Sequence, residues 1–302
     1  MNALDTSPLD DLPKLGGEAI YVDIPGLRLA GLAWGPEDGT PVLALHGWLD
    51  NAGSFARIAP LLSGVRLVAL DLAGHGHSEA RHTSASYSFI DWIPDIYYAQ
   101  EALGWPRCAL LGHSLGAAIS VCFAGTFPAR VDRIALIDGF GPLPGPPETA
   151  PPRLQESIEH ERRMLRRREA IYKDLDQMAE RLEVAIDGLD DAAARTLLVR
   201  GVRRRPEDGG LVWTHDPRLR GSSRVRLTEA QIEAFMRRVE SPTLTLRARE
   251  GWPVDPAMID MRYDYIPHLE HKVVPGCHHV HLVNPERVAP HLQRFFGAST
   301  KT

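Results

Sequence analysis

Short apolar runs recur along this chain with helix-like stretches between them. They read "VLALHG" (42 to 47), "RLVALD" (66 to 71), "CALLG" (108 to 112), "IALID" (134 to 138), "TLTLR" (243 to 247) and "HKVVP" (271 to 275). Continuous apolar runs of this length suit the central strands of a parallel sheet, whose two faces are both covered by helices. The stretches Phe89 to Leu103 and Ser114 to Phe127 have the apolar patterning of the crossover helices such a sheet needs. Ahead of the first run, "AIYVDI" and "LRLAGLAW" flank Pro25 and Gly26, which predicts a β-hairpin.

The alternation stops after Asp138, where "GFGPLPGPPETAPP" supplies a proline-rich exit. Between residues 150 and 240 there are 19 Lys/Arg and 17 Asp/Glu, against 37 charged residues in the other 211, so this segment is built differently. Helices are predicted over "RLQESIEHERRMLRRREAIYKDLDQMAERLEVAI", "DDAAARTLLVRGV" and Thr228 to Val239. The last opens with Thr228 and Gln231 in capping-box spacing and carries Ile232, Phe235, Met236 and Val239 on one face. A helical insertion between two sheet strands is expected to form a lid above the strand ends. The expected division is therefore a core of residues 1 to 140 and 241 to 302, with a helical cap over 141 to 240. Within it, Arg162, Arg163, Arg166, Arg167 and Arg168 alternate with acids and read as a solvated face rather than an anion site. That charge density also argues against a lid opening onto lipid. Trp213, His215 and Asp216 read as residues that pin the cap.

Composition narrows the class. A chain of 302 residues accommodates one α/β domain with an insertion, and a formal net charge of −5 offers no basic excess for nucleic acid. Cys108, Cys122 and Cys277 are odd in number and far apart, which points to a reducing cytoplasm rather than a disulfide scaffold. The opening "MNALDTSPLDDLPKLGG" is acidic and broken by Pro8 and Pro13, unlike a signal peptide. No stretch is long and apolar enough for a membrane span, and nothing in the sequence speaks to oligomeric state.

In open parallel sheets ligands bind beyond the carboxyl ends of the strands, so the residues after each run carry the chemistry. Gly112-His113-Ser114-Leu115-Gly116 matches the G-x-S-x-G pattern between a strand and a helix. There the turn exposes the serine hydroxyl, and the glycines keep side chains out of its way. Ser114 is thus read as a nucleophile rather than a turn serine. A serine hydroxyl needs a base in hydrogen-bond reach, and His278, after the last strand in "PGCHHVHL", has the right place in chain order. His279 and His281 are its nearest rivals and read as supports of the loop. His75 and His77 in "GHGHS" are too few for a metal site, and Cys277 lacks elbow geometry. No G-x-G-x-x-G or Walker pattern follows the first parallel strand. Neither a metal nor an organic cofactor is expected.

"HGWLDNAGSF", "DLAGHGHS", "LLGHSLGAA", "LIDGFGP" and "PGCHHVHLVNP", in this order from about Ala19 to Phe296, resemble the α/β-hydrolase superfamily and, within it, the serine hydrolase-like proteins. The resemblance implies an eight-stranded, mostly parallel sheet with a helical cap inserted after the sixth strand. It also implies Ser114 as nucleophile, His278 as base, and an oxyanion hole made by the backbone N–H groups of Leu115 and Trp48. For Leu115, the unpartnered amides of a helix's first turn lead to the same assignment. The acid departs from the family pattern: most relatives carry an aspartate after the seventh strand, where this chain has Gly251 in "RAREGWPVD". Asp138, Glu250 and Asp255 are the carboxylates that can replace it. The expected activity is hydrolysis of an ester or related acyl substrate, a small molecule, through an acyl-enzyme. Serine at 114 disfavours epoxide hydrolysis and dehalogenation, which require an aspartate nucleophile. Carbon–carbon bond hydrolysis, perhydrolysis, or ligand binding without catalysis are the alternatives on the same site.

Overall fold

In the computed structural model, which describes residues 11 to 297 except 165, 167, 168 and 222, each of the apolar runs becomes a strand. The predicted hairpin is β1 (Glu18–Ile24) and β2 (Leu27–Trp34), turning at Gly26 with φ of 78°. Strands β3 (Thr40–Leu45) and β4 (Val65–Leu70) follow, then helix α1 (Trp92–Ala102), β5 (Cys108–His113), helix α2 (Leu115–Thr126) and β6 (Val131–Ile137). The segment after β6 contains α3 (Ala150–Met164), α4 (Leu175–Ala185), α5 (Asp191–Gly201), the strands β7 (Val202–Arg204) and β8 (Leu211–Trp213), and α6 (Glu229–Met236). The chain returns through β9 (Thr243–Glu250), α7 (Pro256–Tyr263), β10 (Leu269–Cys277), α8 (Val280–Val283) and α9 (Ala289–Gly297).

Eight strands form one sheet in the order β1-β2-β4-β3-β5-β6-β9-β10, antiparallel only at β1-β2 and β2-β4. Because successive side chains point to opposite faces, Leu43 and Leu45 pack under α1 and α2 while Val42 and Ala44 pack on the other side with Leu292 and Phe296 of α9. All four β3 residues are fully buried, which explains a run with no polar alternation. Helix α2 is nearly enclosed for the same reason: Ile119, Val121, Phe123 and Ala124 are inaccessible.

The segment between β6 and β9 differs from its sequence reading in two respects. The long predicted helix is broken between Met164 and Leu175, where Tyr172 exchanges backbone hydrogen bonds with Leu211. The β7–β8 ribbon has no counterpart among the predicted elements, because two three-residue strands, one of them "VRR", carry no readable periodicity. The Thr228 capping box forms as predicted. Arg162, Arg163 and Arg166 are exposed, whereas Arg167, Arg168 and the first ten residues lie outside the described ones.

This segment is fastened to the strand ends by polar contacts. Arg200 of α5 forms a buried ion pair with Asp71, just past β4, at 2.6 Å. Asp71 also accepts from the amides of Ala52 (2.7 Å) and His77 (2.8 Å), so the buried charge is satisfied. The Trp48 indole donates to the Leu219 carbonyl (2.9 Å), Asn51 to that of Leu197 (2.9 Å), and Tyr87 to Asp216 (2.9 Å). Within the segment itself, Trp213 donates to the Tyr172 hydroxyl (3.2 Å), and His215 accepts from Arg220 (3.0 Å).

Candidate active site

Three non-glycine residues among those described have positive φ, and all three sit just beyond the carboxyl ends of parallel strands. They are Leu49 after β3 (64°), Ser114 after β5 (51°) and Asp138 after β6 (41°). Each such residue costs about 1–3 kcal/mol and persists only where its surroundings dictate it. At Ser114 they do. Its amide donates to the Ile137 carbonyl (3.1 Å), and Gly116 donates to that of His46 (3.1 Å), locking the turn against β6 and β3. A β-carbon on Gly116 would lie 1.9 Å from the Leu45 carbonyl oxygen, and one on Gly112 would lie 2.5 Å from that of Gly116. Both glycines are thus required by close backbone approach. Ser114 stands immediately before α2 with its side chain making no capping bond to that helix, and Leu115 is the helix's first residue.

His278 follows β10, and its Nδ1 lies 2.5 Å from Asp138 Oδ2. The Asp138 carboxylate also accepts from the amides of Ala248 (2.9 Å) and Trp252 (2.8 Å). Burial pushes this carboxyl up, but the bonds from His278, Trp252 and Ala248 outweigh it and hold it below the usual carboxylate range. Gly251 makes the seat: a β-carbon there would fall 2.3 Å from Asp138 Oδ1. The Asp138 carboxylate from β6 thus occupies the space that a side chain at 251 would need.

The other two carboxylates do not meet His278. Strand β9 runs through Glu250, expected on a loop, and its exposed carboxylate accepts from the Gly276 amide (2.8 Å). Asp255 caps α7 by accepting from Ala257 (3.0 Å). Trp252 packs its ring 5.6 Å from that of His278, and the exposed Trp48 indole reaches across to Leu219.

Behind His278 lies a buried cluster that the sequence did not announce. His113 Nε2 is 3.0 Å from the His278 carbonyl, so the neighbour of Ser114 braces the loop that carries His278. His279 Nε2 faces Asp50 at 3.1 Å, and His281 Nε2 meets the Ser54 hydroxyl at 2.9 Å. Burial lowers His113 to about 4 despite its contact with Asp50, and lowers His281 well below the ordinary imidazole value. Both rival histidines are thus turned into the interior. His75 is buried as well, its ring edge-on to His46 at 5.0 Å. A signal for this cluster existed in the histidines of "GHS" and "CHHVH", but Asp50, their partner, lies 63 or more residues away in sequence.

Comparison with known proteins agrees with this architecture. The pattern of the alpha/beta hydrolase fold family matches residues 40–285. A serine hydrolase-like protein of Danio rerio is 34% identical over 88% of this chain and 84% of its own. A probable serine hydrolase of Drosophila melanogaster is 33% identical over 97% of this chain and 92% of its own. Among solved structures, a hypothetical protein from Pseudomonas aeruginosa superposes with TM-score 0.86 at 41% identity, covering 93% of this chain and 98% of that one. The thioesterase domain from the curacin biosynthetic pathway shares the fold at 23% identity, with TM-score 0.80 over 94% of this chain and 100% of its own. An elbow serine at a parallel strand end, within a sheet of this order and a match that spans most of the sequence, makes this chain a member of the α/β-hydrolase superfamily.

Proposed function

We propose that this protein is a serine hydrolase of esters or related acyl compounds, working through Ser114, His278 and Asp138. The observation that carries the reading is the 2.5 Å contact between His278 Nδ1 and Asp138. A carboxylate there holds the proton on Nδ1, leaves the Nε2 lone pair free to take the Ser114 proton, and stabilises the imidazolium that results. The Ser114 oxygen attacks the acyl carbon, and the amides of Leu115 and Trp48 receive the developing oxyanion. His278 then passes its proton to the leaving alcohol, and water repeats the sequence to release the acid.

The absence of an aspartate at 251 is the ground on which ligand binding without catalysis would rest. The contact of Asp138 with His278 supports catalysis over binding alone. We read residues 141 to 240 as the cap over this site, supported by the Arg200–Asp71 and Trp48–Leu219 contacts. No described helix is long and apolar enough to cross a membrane. The unpaired Cys108, Cys122 and Cys277 accord with a reducing cytoplasm.

A fluorophosphonate probe tests the reading. Covalent labelling of the wild type, lost in Ser114→Ala, is expected together with hydrolysis of short p-nitrophenyl esters. Absence of both from correctly folded wild type would overturn it.

A further inference from the structure

The cluster behind His278 contains groups that acyl transfer does not use. Asp50, His113 and His279 are buried, and their ligand-type atoms all lie within 4.8 Å of one another. Asp50 Oδ2 is 3.1 Å from His279 Nε2 and 3.4 Å from His113 Nδ1. His113 Nε2 meets a carbonyl oxygen, which only accepts, so the ring proton sits on Nε2. In a neutral ring Nδ1 is then a lone pair, inaccessible and without a hydrogen-bond partner, aimed at a carboxylate. Two acceptors facing each other in the interior leave a place for a cation.

We propose that Asp50, His113 and His279 bind a divalent transition cation of the Zn2+ type, and that filling this site switches the hydrolase off. Bonds of about 2.0–2.1 Å put the ligand atoms of a tetrahedral Zn2+ roughly 3.3 Å apart. The two edges to Asp50, at 3.1 and 3.4 Å, already have about that length, and the two imidazole nitrogens lie within 4.8 Å of one another. The Nε2–H of His113 on the His278 carbonyl is the outer contact that orients a metal-bound imidazole. His279 exchanges its Nε2 proton for the ion by moving to the Nδ1–H tautomer, so no net proton is released. Two imidazoles and one carboxylate favour Zn2+ or Co2+ over Mg2+ or Ca2+. A small cleft lined by Leu49, Asn51, Gly76, Trp213 and His215 borders Asp50 on one side of the cluster.

The inhibitory consequence rests on the hydrolase reading; the binding does not. His113 precedes Ser114 and His279 follows His278, so drawing both rings onto one ion shifts the backbone that carries the nucleophile and the base. A displacement of about 1 Å at a reacting group costs on the order of 100-fold in rate.

Wild-type protein stripped with a chelator is titrated with Zn2+ by calorimetry and with Co2+ by visible absorption, and fluorophosphonate labelling is followed during the titration. The expected result is one ion per chain, Co2+ bands of a four-coordinate ion held by the three side chains and one water, without thiolate charge transfer, and labelling that falls as the site fills. Asp50→Asn and His279→Gln weaken Zn2+ binding by roughly tenfold or more, while His278→Ala retains it. The Co2+ spectrum is read on wild type, so the outcome does not depend on the variants folding. Absence of stoichiometric binding to wild type, or binding lost only in His278→Ala, overturns the site. Binding with undiminished labelling overturns the switch. Binding that is sensitive to both Asp50→Asn and His279→Gln, in a protein that never labels, sustains the site and overturns the hydrolase reading instead.

Discussion

Replacing Gly251 by alanine tests how the acid is seated without touching Ser114, His278 or Asp138. The added β-carbon would lie 2.3, 2.4 and 2.6 Å from the Asp138 Oδ1, Oδ2 and Cγ atoms. Non-bonded heavy atoms rest at about 3.5 Å, so the carboxylate must retreat by roughly 1 Å. Gly251 lies outside the left-handed backbone region, and alanine therefore adds no conformational strain of its own. The retreat loosens the bond to His278 and those from the Ala248 and Trp252 amides. A misplacement of about 1 Å costs on the order of 100-fold, or about 2.7 kcal/mol of transition-state stabilisation. Steady-state kinetics on p-nitrophenyl acetate should show the loss in kcat with KM little altered, because orientation of the imidazole matters most in the transition state. Thermal melting of the same sample verifies the fold. A folded Gly251→Ala protein with wild-type kcat would refute the seat, and with it the role given to Asp138.

Asp138→Asn should lower kcat by about 10⁴-fold by leaving His278 in the wrong tautomer, whereas Glu250→Gln and Asp255→Asn remain near wild type in the same assay. Arg200→Met strands the buried Asp71 carboxylate and should cost about 3–5 kcal/mol in urea unfolding; a cost under about 1 kcal/mol would mean that the pair does not hold α5 in place. The folded-state value of Asp71 lies below 3.8, because Arg200 and the surrounding donors outweigh burial. Its stabilisation is therefore complete well above that value and disappears as pH falls through the lower folded one. The advantage of wild type over Asp71→Asn in urea melts should begin to shrink only near about pH 4, and its disappearance already at pH 6 would contradict the pairing. Trp48→Phe keeps the backbone amide and loses the indole bond to Leu219, so kcat should hold while stability falls by about 1 kcal/mol; a collapse in kcat would show that the indole itself serves the chemistry.

The sheet was legible because burial on both faces removes polar alternation, and that signal is local to each run. The elbow was legible for a similar reason, since the strained turn and the helix start are specified within five residues, 112 to 116. The segment after β6 was legible only as charged and helical. Its break near Tyr172 arises from backbone pairing with Leu211, 39 residues away, which no local pattern encodes.

The choice among three carboxylates belongs to the tertiary structure. Strand β9 lies between β6 and β10, so the end of β6 comes beside the loop that carries His278, with the Asp138 amide bonded to the Leu246 carbonyl. The amides of Ala248 and Trp252 then converge on the Asp138 carboxylate, while Glu250 is directed to Gly276 on β10. The same holds for Asp50, His113 and His279, which the loop after β3, the end of β5 and the turn after β10 bring within 4.8 Å of one another. By itself the sequence determined the strands, the elbow serine and the late histidine, because each is written in a short stretch of chain. Which carboxylate and which buried imidazoles face one another was decided by strand order and loop packing, because hydrogen-bond partnerships depend on distance in space rather than on separation along the chain.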